Sequence, residues 1–242
     1  MNDIIATISH IPLFDGLEPA QIDQVRRIAV DRRFRRGETI FSDGDPGDGF
    51  YVVVSGKVKI FKVSFEGKEQ ILHIYGPGHP FGEVPVFSGD NFPANAVTLV
   101  KSHLLFFSRH AFVELITTHP SLSMNMLAVL SMRLREFTLQ IENLSLKEVP
   151  GRLASYLLYL LEEQVQEAGQ AGAEQERRLP QQIHLPISKG QLASLLGTIP
   201  ETLSRILAKL SSQGMINVNG NLIDITDRAQ LEALALSGKS IE

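Results

Sequence analysis

Residues 188–214, Ser-Lys-Gly-Gln-Leu-Ala-Ser-Leu-Leu-Gly-Thr-Ile-Pro-Glu-Thr-Leu-Ser-Arg-Ile-Leu-Ala-Lys-Leu-Ser-Ser-Gln-Gly, constrain the fold more than any other stretch. Their spacing suits two short helices joined at a glycine. Ser188 caps the first helix, and Gln191 three residues on completes a capping box. Leu192, Leu195 and Leu196 form one apolar stripe. Gly197 permits the tight turn, having no Cβ to oppose positive φ. Thr198 and Glu201 predict a second capping box, with Pro200 tolerated in the first turn. Leu203, Ile206, Leu207 and Leu210 face inward, and Gly214 ends the helix. Glu201, Thr202, Ser204, Arg205 and Lys209 are left outward. The first four lie near the N-terminal end, where a recognition helix enters a major groove.

The chemistry of these side chains suits base edges. Arginine bonds guanine O6 and N7 bidentately and glutamate accepts from cytosine N4, so Arg205 and Glu201, four apart on one face, can read a G·C pair. Ser204, Thr202, Thr198, Lys189 and Lys209 complete the candidate DNA-contacting set. Residues 215–226 then alternate apolar and polar side chains around Asn219-Gly220, the strongest short hairpin signal. A hairpin after a helix-turn-helix makes a winged helix.

A net charge of −4 over 242 residues is awkward for a nucleic-acid binder only if charge is spread evenly. Across 184–214, Lys189, Arg205 and Lys209 stand against Glu201, a local excess of +2, and the local footprint is what phosphates meet. Arg26-Arg27 and the Arg32–Arg36 cluster are the densest positive region, read here as a solvated face. The absence of cysteine excludes disulfides, thiolate-ligated zinc and Cys-ligated iron–sulfur clusters. No apolar run approaches a membrane span and no basic-then-apolar leader opens the chain, so a cytoplasmic protein is expected. No nucleophile elbow, phosphate loop or HExxH appears, so an enzyme is not expected.

The preceding sequence predicts an α+β chain. Residues 1–118 read as an all-β sensor domain. Val52–Val54, Val58–Val63 and Gln70–Tyr75 are β-rich runs separated by glycine or proline turns, as in a jelly roll. Residues 119–148 read as one long helix. Leu127, Leu134 and Ile141 recur every seven residues, as do Leu130, Phe137 and Leu144, an a/d seam that favours pairing with a second copy. Val149-Pro-Gly151 is expected as a hinge into the DNA-binding part, 149–242, and residues 167–178 as a polar loop.

Pro200-Glu-Thr-Leu-Ser-Arg205 and the sequence before it resemble the CRP/FNR superfamily of bacterial transcription regulators. Gly37, Gly44-Asp45, Phe50-Tyr51, Gly56-x-Val58-x-Ile60 and Phe81-Gly82-Glu83 resemble its cyclic-nucleotide-binding β-roll. Glu201, Ser204 and Arg205 match the Glu-x-x-Ser-Arg of FNR-like recognition helices. The resemblance implies a homodimer on a palindromic double-stranded operator with TTG-like half-sites, and RNA polymerase as a partner. It also implies an effector pocket around Phe81, Gly82, Glu83, Asn95 and Arg133. Cyclic-nucleotide binders follow Phe-Gly-Glu with a phosphate-pairing arginine, whereas Asp90–Ala96 carries no basic residue, so cAMP is not expected. Residues 141–147, Arg152 and Tyr156–Leu158 are similar to the Dnr and HcpR branches, which implies haem as cofactor and nitric oxide or nitrosative stress as signal. Among His10, His73, His79, His103, His110, His119 and His184, no spacing marks a haem or metal ligand. A cyclic-nucleotide-responsive regulator and an effector-independent repressor are the alternatives.

Overall fold

The computed structural model describes residue 8 and residues 11–170 and 182–238. Contacts divide the chain into two compact units, Met1–Glu136 and Phe137–Glu242.

In the first unit, helix α1 (Pro19–Ile28) leads into strands β1 (Ala29–Phe34), β2 (Thr39–Phe41), β3 (Gly49–Ser55), β4 (Val58–Val63), β5 (Glu69–Tyr75), β6 (Pro80–Phe81), β7 (Asn95–Thr98) and β8 (Ser102–Ser108). They form two four-stranded antiparallel sheets, ordered β1-β8-β3-β6 and β2-β7-β4-β5. The three expected strands are β3, β4 and β5, with β3 reaching further at both ends than the apolar run alone suggests. β1 is not legible as a strand in the sequence, because an edge strand spends its exposed positions on charge. Val30, Asp31, Arg32 and Arg33 are all exposed along it, a composition that discourages edge-to-edge pairing.

Two aromatic clusters hold this unit. Phe14, Phe50, Phe107 and Phe112 are fully buried with Leu105 and Leu122. Phe41, Tyr75, Phe81 and Phe92 pack with Val53, Val58 and Leu104. Each such ring contributes roughly 1.5–3 kcal/mol by leaving water. Gly56 is required by space as well as by its φ of 98°, since a Cβ there would come 2.3 Å from Ser102 Oγ.

A short helix α2 (Val84–Ser88) lies between β6 and β7, and α3 (Arg109–Thr118) leads to the long α4 (Pro120–Leu146). Leu122 and Met126 anchor the start of α4 in the core. Further along, Leu127, Leu134 and Ile141 are 57%, 68% and 65% exposed in the single chain, on the stripe where the heptad pattern places a partner helix.

The expected hinge and loop are both displaced. Val149, Pro150 and Gly151 lie in the first turn of α5 (Val149–Gln170), so the helical path breaks at Lys147-Glu148. Proline is compatible with a first turn, where its missing N–H costs nothing. Residues 167–170 continue α5 instead of opening a loop, and 171–178 lie outside the described residues.

The second unit contains α5, β9 (Gln182–His184), α6 (Lys189–Leu195), α7 (Pro200–Ser212), β10 (Ile216–Asn219), β11 (Leu222–Ile225) and α8 (Arg228–Ser237). Its sheet runs β10-β11-β9. The wing is present with a shifted turn. Asn219 pairs with Leu222, so the two turn residues are Gly220-Asn221 rather than Asn219-Gly220, with Gly220 at φ 61°. Positive φ at the first central position is what a two-residue hairpin needs, and glycine supplies it. Leu153, Leu157, Leu192, Leu203, Leu207, Leu210, Ile216, Ile223 and Leu231 are buried in this unit.

Candidate DNA interface and effector site

The two helices of the DNA-binding motif form as their sequence dictates at the first and differently at the second. Ser188 Oγ accepts from Gln191 N at 3.2 Å, and Gln191 Oε1 accepts from Ser188 N at 2.9 Å. Gly197 takes φ 68°, and Thr198 N returns to Ala193 O at 2.9 Å. The box expected between Thr198 and Glu201 does not form. Ile199 is the N-cap of α7, extended at φ −109°, ψ 154°, with no side-chain cap. The cause is Pro200, whose ring disfavours helical backbone in the residue before it. Glu201 therefore has no capping bond and sits exposed in the first turn, where the helix dipole favours a negative charge.

Glu201, Ser204, Arg205 and Lys209 are exposed, while Thr202, Thr198 and Lys189 are half-buried. Buried Leu203, Leu207 and Leu210 hold the opposite side of α7. Arg205 Nη2 donates to Thr202 Oγ1 at 3.2 Å, which lays the guanidinium along the helix toward its N-terminal end. Ser204 Oγ donates to Pro200 O at 2.8 Å. Its proton is thus spent on the backbone, and the hydroxyl faces outward as an acceptor only. A neutral acceptor, a carboxylate and a guanidinium share one surface, a set that can discriminate base edges.

In the first unit, Phe81, Glu83 and Arg133 come together around a buried ion pair. Arg133, on α4, donates through Nη1 to Glu83 Oε1 and through Nη2 to Pro80 O. Its guanidinium lies over the Tyr75 ring, 4.9 Å from the centroid, a favourable cation–π position. The Arg133 and Glu83 side chains are 11% and 8% exposed, so the pair is largely dehydrated. Glu83 Oε2 is buried and has no hydrogen-bond partner. Gly82, at φ 74°, leaves no room for a side chain: a Cβ would meet the Phe41 ring at 3.0 Å.

Asn95 does not join this group. Its Oδ1 accepts from Asp43 N at 3.1 Å and its Nδ2 donates to Phe61 O at 3.3 Å, so the amide braces loop and strand. Tyr75 and Pro80 are the neighbours that sequence reasoning missed, and His73, considered there only as a ligand, packs beside Tyr75. Tyr75 ends an apolar strand and carries no local mark of a special role, and a backbone carbonyl carries none at all. Burial pushes the Tyr75 hydroxyl above its usual range. Burial, followed by the nearby charges of Arg133 and His79, pushes His73 down to about 4, which keeps it neutral.

The remaining histidines are placed otherwise. His79 Nδ1 faces the Gly76 and Pro77 carbonyls, His103 meets Asp31, and His119 Nδ1 lies 2.9 Å from Thr118 Oγ1. His110 and His184 are exposed, and His10 lies outside the described residues. Among the described residues, no group of three or more His, Asp or Glu side chains could hold a metal ion. Nor, among them, is any helix long and apolar enough to cross a membrane.

Residues 31–119 match the cyclic nucleotide-binding domain family, and residues 151–234 match the Crp-like helix-turn-helix domain family. The chain is 33% identical over 224 residues to the Cyclic AMP receptor protein of Thermus thermophilus, covering 93% of this chain and 96% of that one. It is 31% identical over 231 residues to the CRP-like cAMP-activated global transcriptional regulator of Mycobacterium tuberculosis, covering 96% and 98% respectively. The solved structure of a CRP/FNR-family transcriptional regulator from Thermus thermophilus superposes with a TM-score of 0.67 at 25% identity, over 87% of this chain and 100% of that one. An effector-type β-roll, a long helix and a winged helix-turn-helix in one chain, matched in these terms at both ends, make this protein a DNA-binding transcription regulator of the CRP/FNR family.

Proposed function

We propose that the protein is a cytoplasmic homodimer that binds a palindromic operator and adjusts its grip on DNA, and through it RNA polymerase, in response to an effector read at Glu83 and Arg133. The observation that carries this reading is the buried pair itself. Arg133 stands on the helix whose heptad stripe, Leu127, Leu134 and Ile141, is exposed in the single chain, and Glu83 stands on the β-roll. A ligand competing for either group acts on the β-roll and on the helix at once. An effector can change operator affinity only by binding the two states unequally, and a ligand that drew Arg133 away from Glu83 would supply such a difference. Operator readout falls to Glu201, Ser204 and Arg205, with TTG-like half-sites expected.

Two effector classes meet this site differently. A cyclic nucleotide has in its favour the names of the two relatives, which describe a cAMP receptor and a cAMP-activated regulator. Against it, Asp90–Ala96 carries no cation, and Arg133 is already committed to Glu83, Pro80 and Tyr75. Nitric oxide through haem is the reading we favour. His73 is half-buried and its pKa is held down, so it stays neutral, the state in which an imidazole ligates iron. Haem would supply the gas-binding iron, and this chain would supply that imidazole. The His73 ring packs 4.2 Å from Tyr75.

The test is a selection of bound sequences from a random DNA pool, followed by titration of cAMP, cGMP and haem with and without nitric oxide against the selected site. A haem absorption band that shifts on nitric oxide, accompanied by altered operator affinity, supports the favoured reading. A response to a cyclic nucleotide alone replaces it. Operator binding that no effector alters leaves an effector-independent regulator.

A further inference from the structure

Asn219-Gly220 is the only Asn-Gly step in the chain, and it lies at the tip of the wing with both residues exposed. Asn219 closes the pairing of β10 with β11 opposite Leu222, which makes Gly220 the first central residue of a two-residue turn. In such a turn the ladder engages the two flanking residues and leaves the first central N–H unbonded. Among the described residues, none accepts a hydrogen bond from Gly220 N, and a Cβ built on Gly220 would meet nothing within 4 Å. Other asparagines lack one of these features. Asn217 precedes the β-branched Val218, Asn125 and Asn143 lie inside α4, and the Asn95 amide is committed to Asp43 N and Phe61 O.

We propose that Asn219 is a self-modification site, at which the wing exchanges a neutral amide for a carboxylate and the protein thereby loosens its hold on DNA. The backbone nitrogen of Gly220 gives up its proton and attacks Cγ of Asn219. The Cγ–Nδ2 bond then breaks, and ammonia leaves with that proton, so a cyclic imide joins the two residues. Solvent water opens the ring at either carbonyl. Cleavage of the bond to Cγ gives aspartate with the main chain restored. Cleavage at the main-chain carbonyl gives isoaspartate, whose backbone is one methylene longer. Glycine favours closure because no Cβ crowds its nitrogen. Pairing with Leu222 holds Asn219 extended and opposes closure, so the reaction proceeds when the tip of the hairpin opens locally.

The new charge matters because the hairpin has none of its own. Residues 210–223 contain no Lys, Arg, Asp or Glu. Over 184–226, Lys189, Arg205 and Lys209 stand against Glu201 and Asp224, an excess of +1 that the carboxylate cancels. The sequence-independent attraction to phosphates weakens with that excess. The proposal rests on the DNA-binding reading above and adds to it an irreversible change that accumulates with the age of the molecule.

The test incubates the full-length protein, folded and in urea, in heavy-oxygen water at mildly alkaline pH, and follows the peptide containing residue 219 by mass spectrometry. Conversion of Asn219 to the acid with uptake of heavy oxygen is expected in the folded protein, more slowly than in urea. No conversion in the folded protein by the time the urea sample has fully reacted overturns the proposal. Fluorescence anisotropy on operator and on unrelated DNA then compares fresh wild type, aged wild type, Asn219→Asp and Asn219→Gln, each checked by thermal unfolding. Aged protein and Asn219→Asp should bind both DNAs roughly two- to tenfold more weakly at low salt, the difference narrowing as salt rises. Asn219→Gln, whose longer side chain closes its ring far more slowly, should match fresh wild type and keep that affinity on ageing. Undiminished affinity in Asn219→Asp overturns the loosening, as does a loss on ageing that Asn219→Gln shares. Should Asn219→Asp fail to fold, aged wild type against aged Asn219→Gln decides. If fresh wild type binds neither DNA, the DNA-binding reading fails and the loosening with it, while the mass measurement still decides whether Asn219 converts.

Discussion

Arg133 donates to Glu83 through one nitrogen and to the carbonyl of Pro80 through the other, while one oxygen of Glu83 remains buried and unbonded. The contact is therefore strong on one side and incomplete on the other. Deleting one partner of a buried pair strands the other charge and costs about 3–5 kcal/mol. Arg133→Met alone should lower unfolding stability by that order, whereas Glu83→Gln combined with Arg133→Met should cost distinctly less. Urea unfolding of the four proteins of this cycle measures the coupling, and additive losses would show that the two groups do not depend on each other.

His73 gives the protein an acid-sensitive term. Its pKa falls from 6.5 in the unfolded chain to about 4 when folded. The unfolded chain takes up the proton first as pH drops. Stability is therefore unaffected above about 6.5, is lost progressively between 6.5 and 4, and changes no further below 4 on this account. The full loss is of the order of 3 kcal/mol. His73→Gln should flatten that part of the stability curve relative to wild type. Parallel curves for the two proteins would remove His73 as the source.

Readout by α7 makes its own pattern. Arg205→Ala should cost about 1–3 kcal/mol per half-site and relax preference at one G·C position. Ser204 keeps its proton on Pro200 O, so Ser204→Ala should alter preference only where the base edge presents a donor. Binding selections on the two variants compare these directly. Intact discrimination in Arg205→Ala would return that arginine to the backbone or to solvent.

The seam on α4 can be broken by one residue. Ile141→Glu places a charge where the heptad pattern requires an apolar contact, and Ile141 is exposed in the single chain. Light scattering should show a shift toward monomer, with operator affinity falling in step. Phe137→Ala, a milder change at the other seam position, should alter both basal operator binding and the effector response. A protein that stays dimeric with Ile141→Glu would place the self-association surface elsewhere.

What the order of residues determined by itself was local and periodic. The Ser188–Gln191 box, the Gly197 turn, the inward leucines of α7, the wing and the heptad stripe are patterns within a few residues or a fixed period. Chain chemistry alone imposes them. Tertiary structure decided wherever a distant group or a neighbouring backbone competes. Pro200 moved the helix start by one residue and released Glu201 from capping. The hairpin turn settled on Gly220-Asn221 because pairing with β9 and β10 sets the register of β11. The charged edge strand β1 exists because β8 offers it a ladder of partners. Above all, Glu83 and Arg133 are fifty residues apart; the family resemblance put both at one pocket, but nothing in the sequence said that they pair with each other. Their union, and the oxygen it leaves unbonded, arises only when the β-roll and α4 fold together and exclude the water that would otherwise keep the two charges apart.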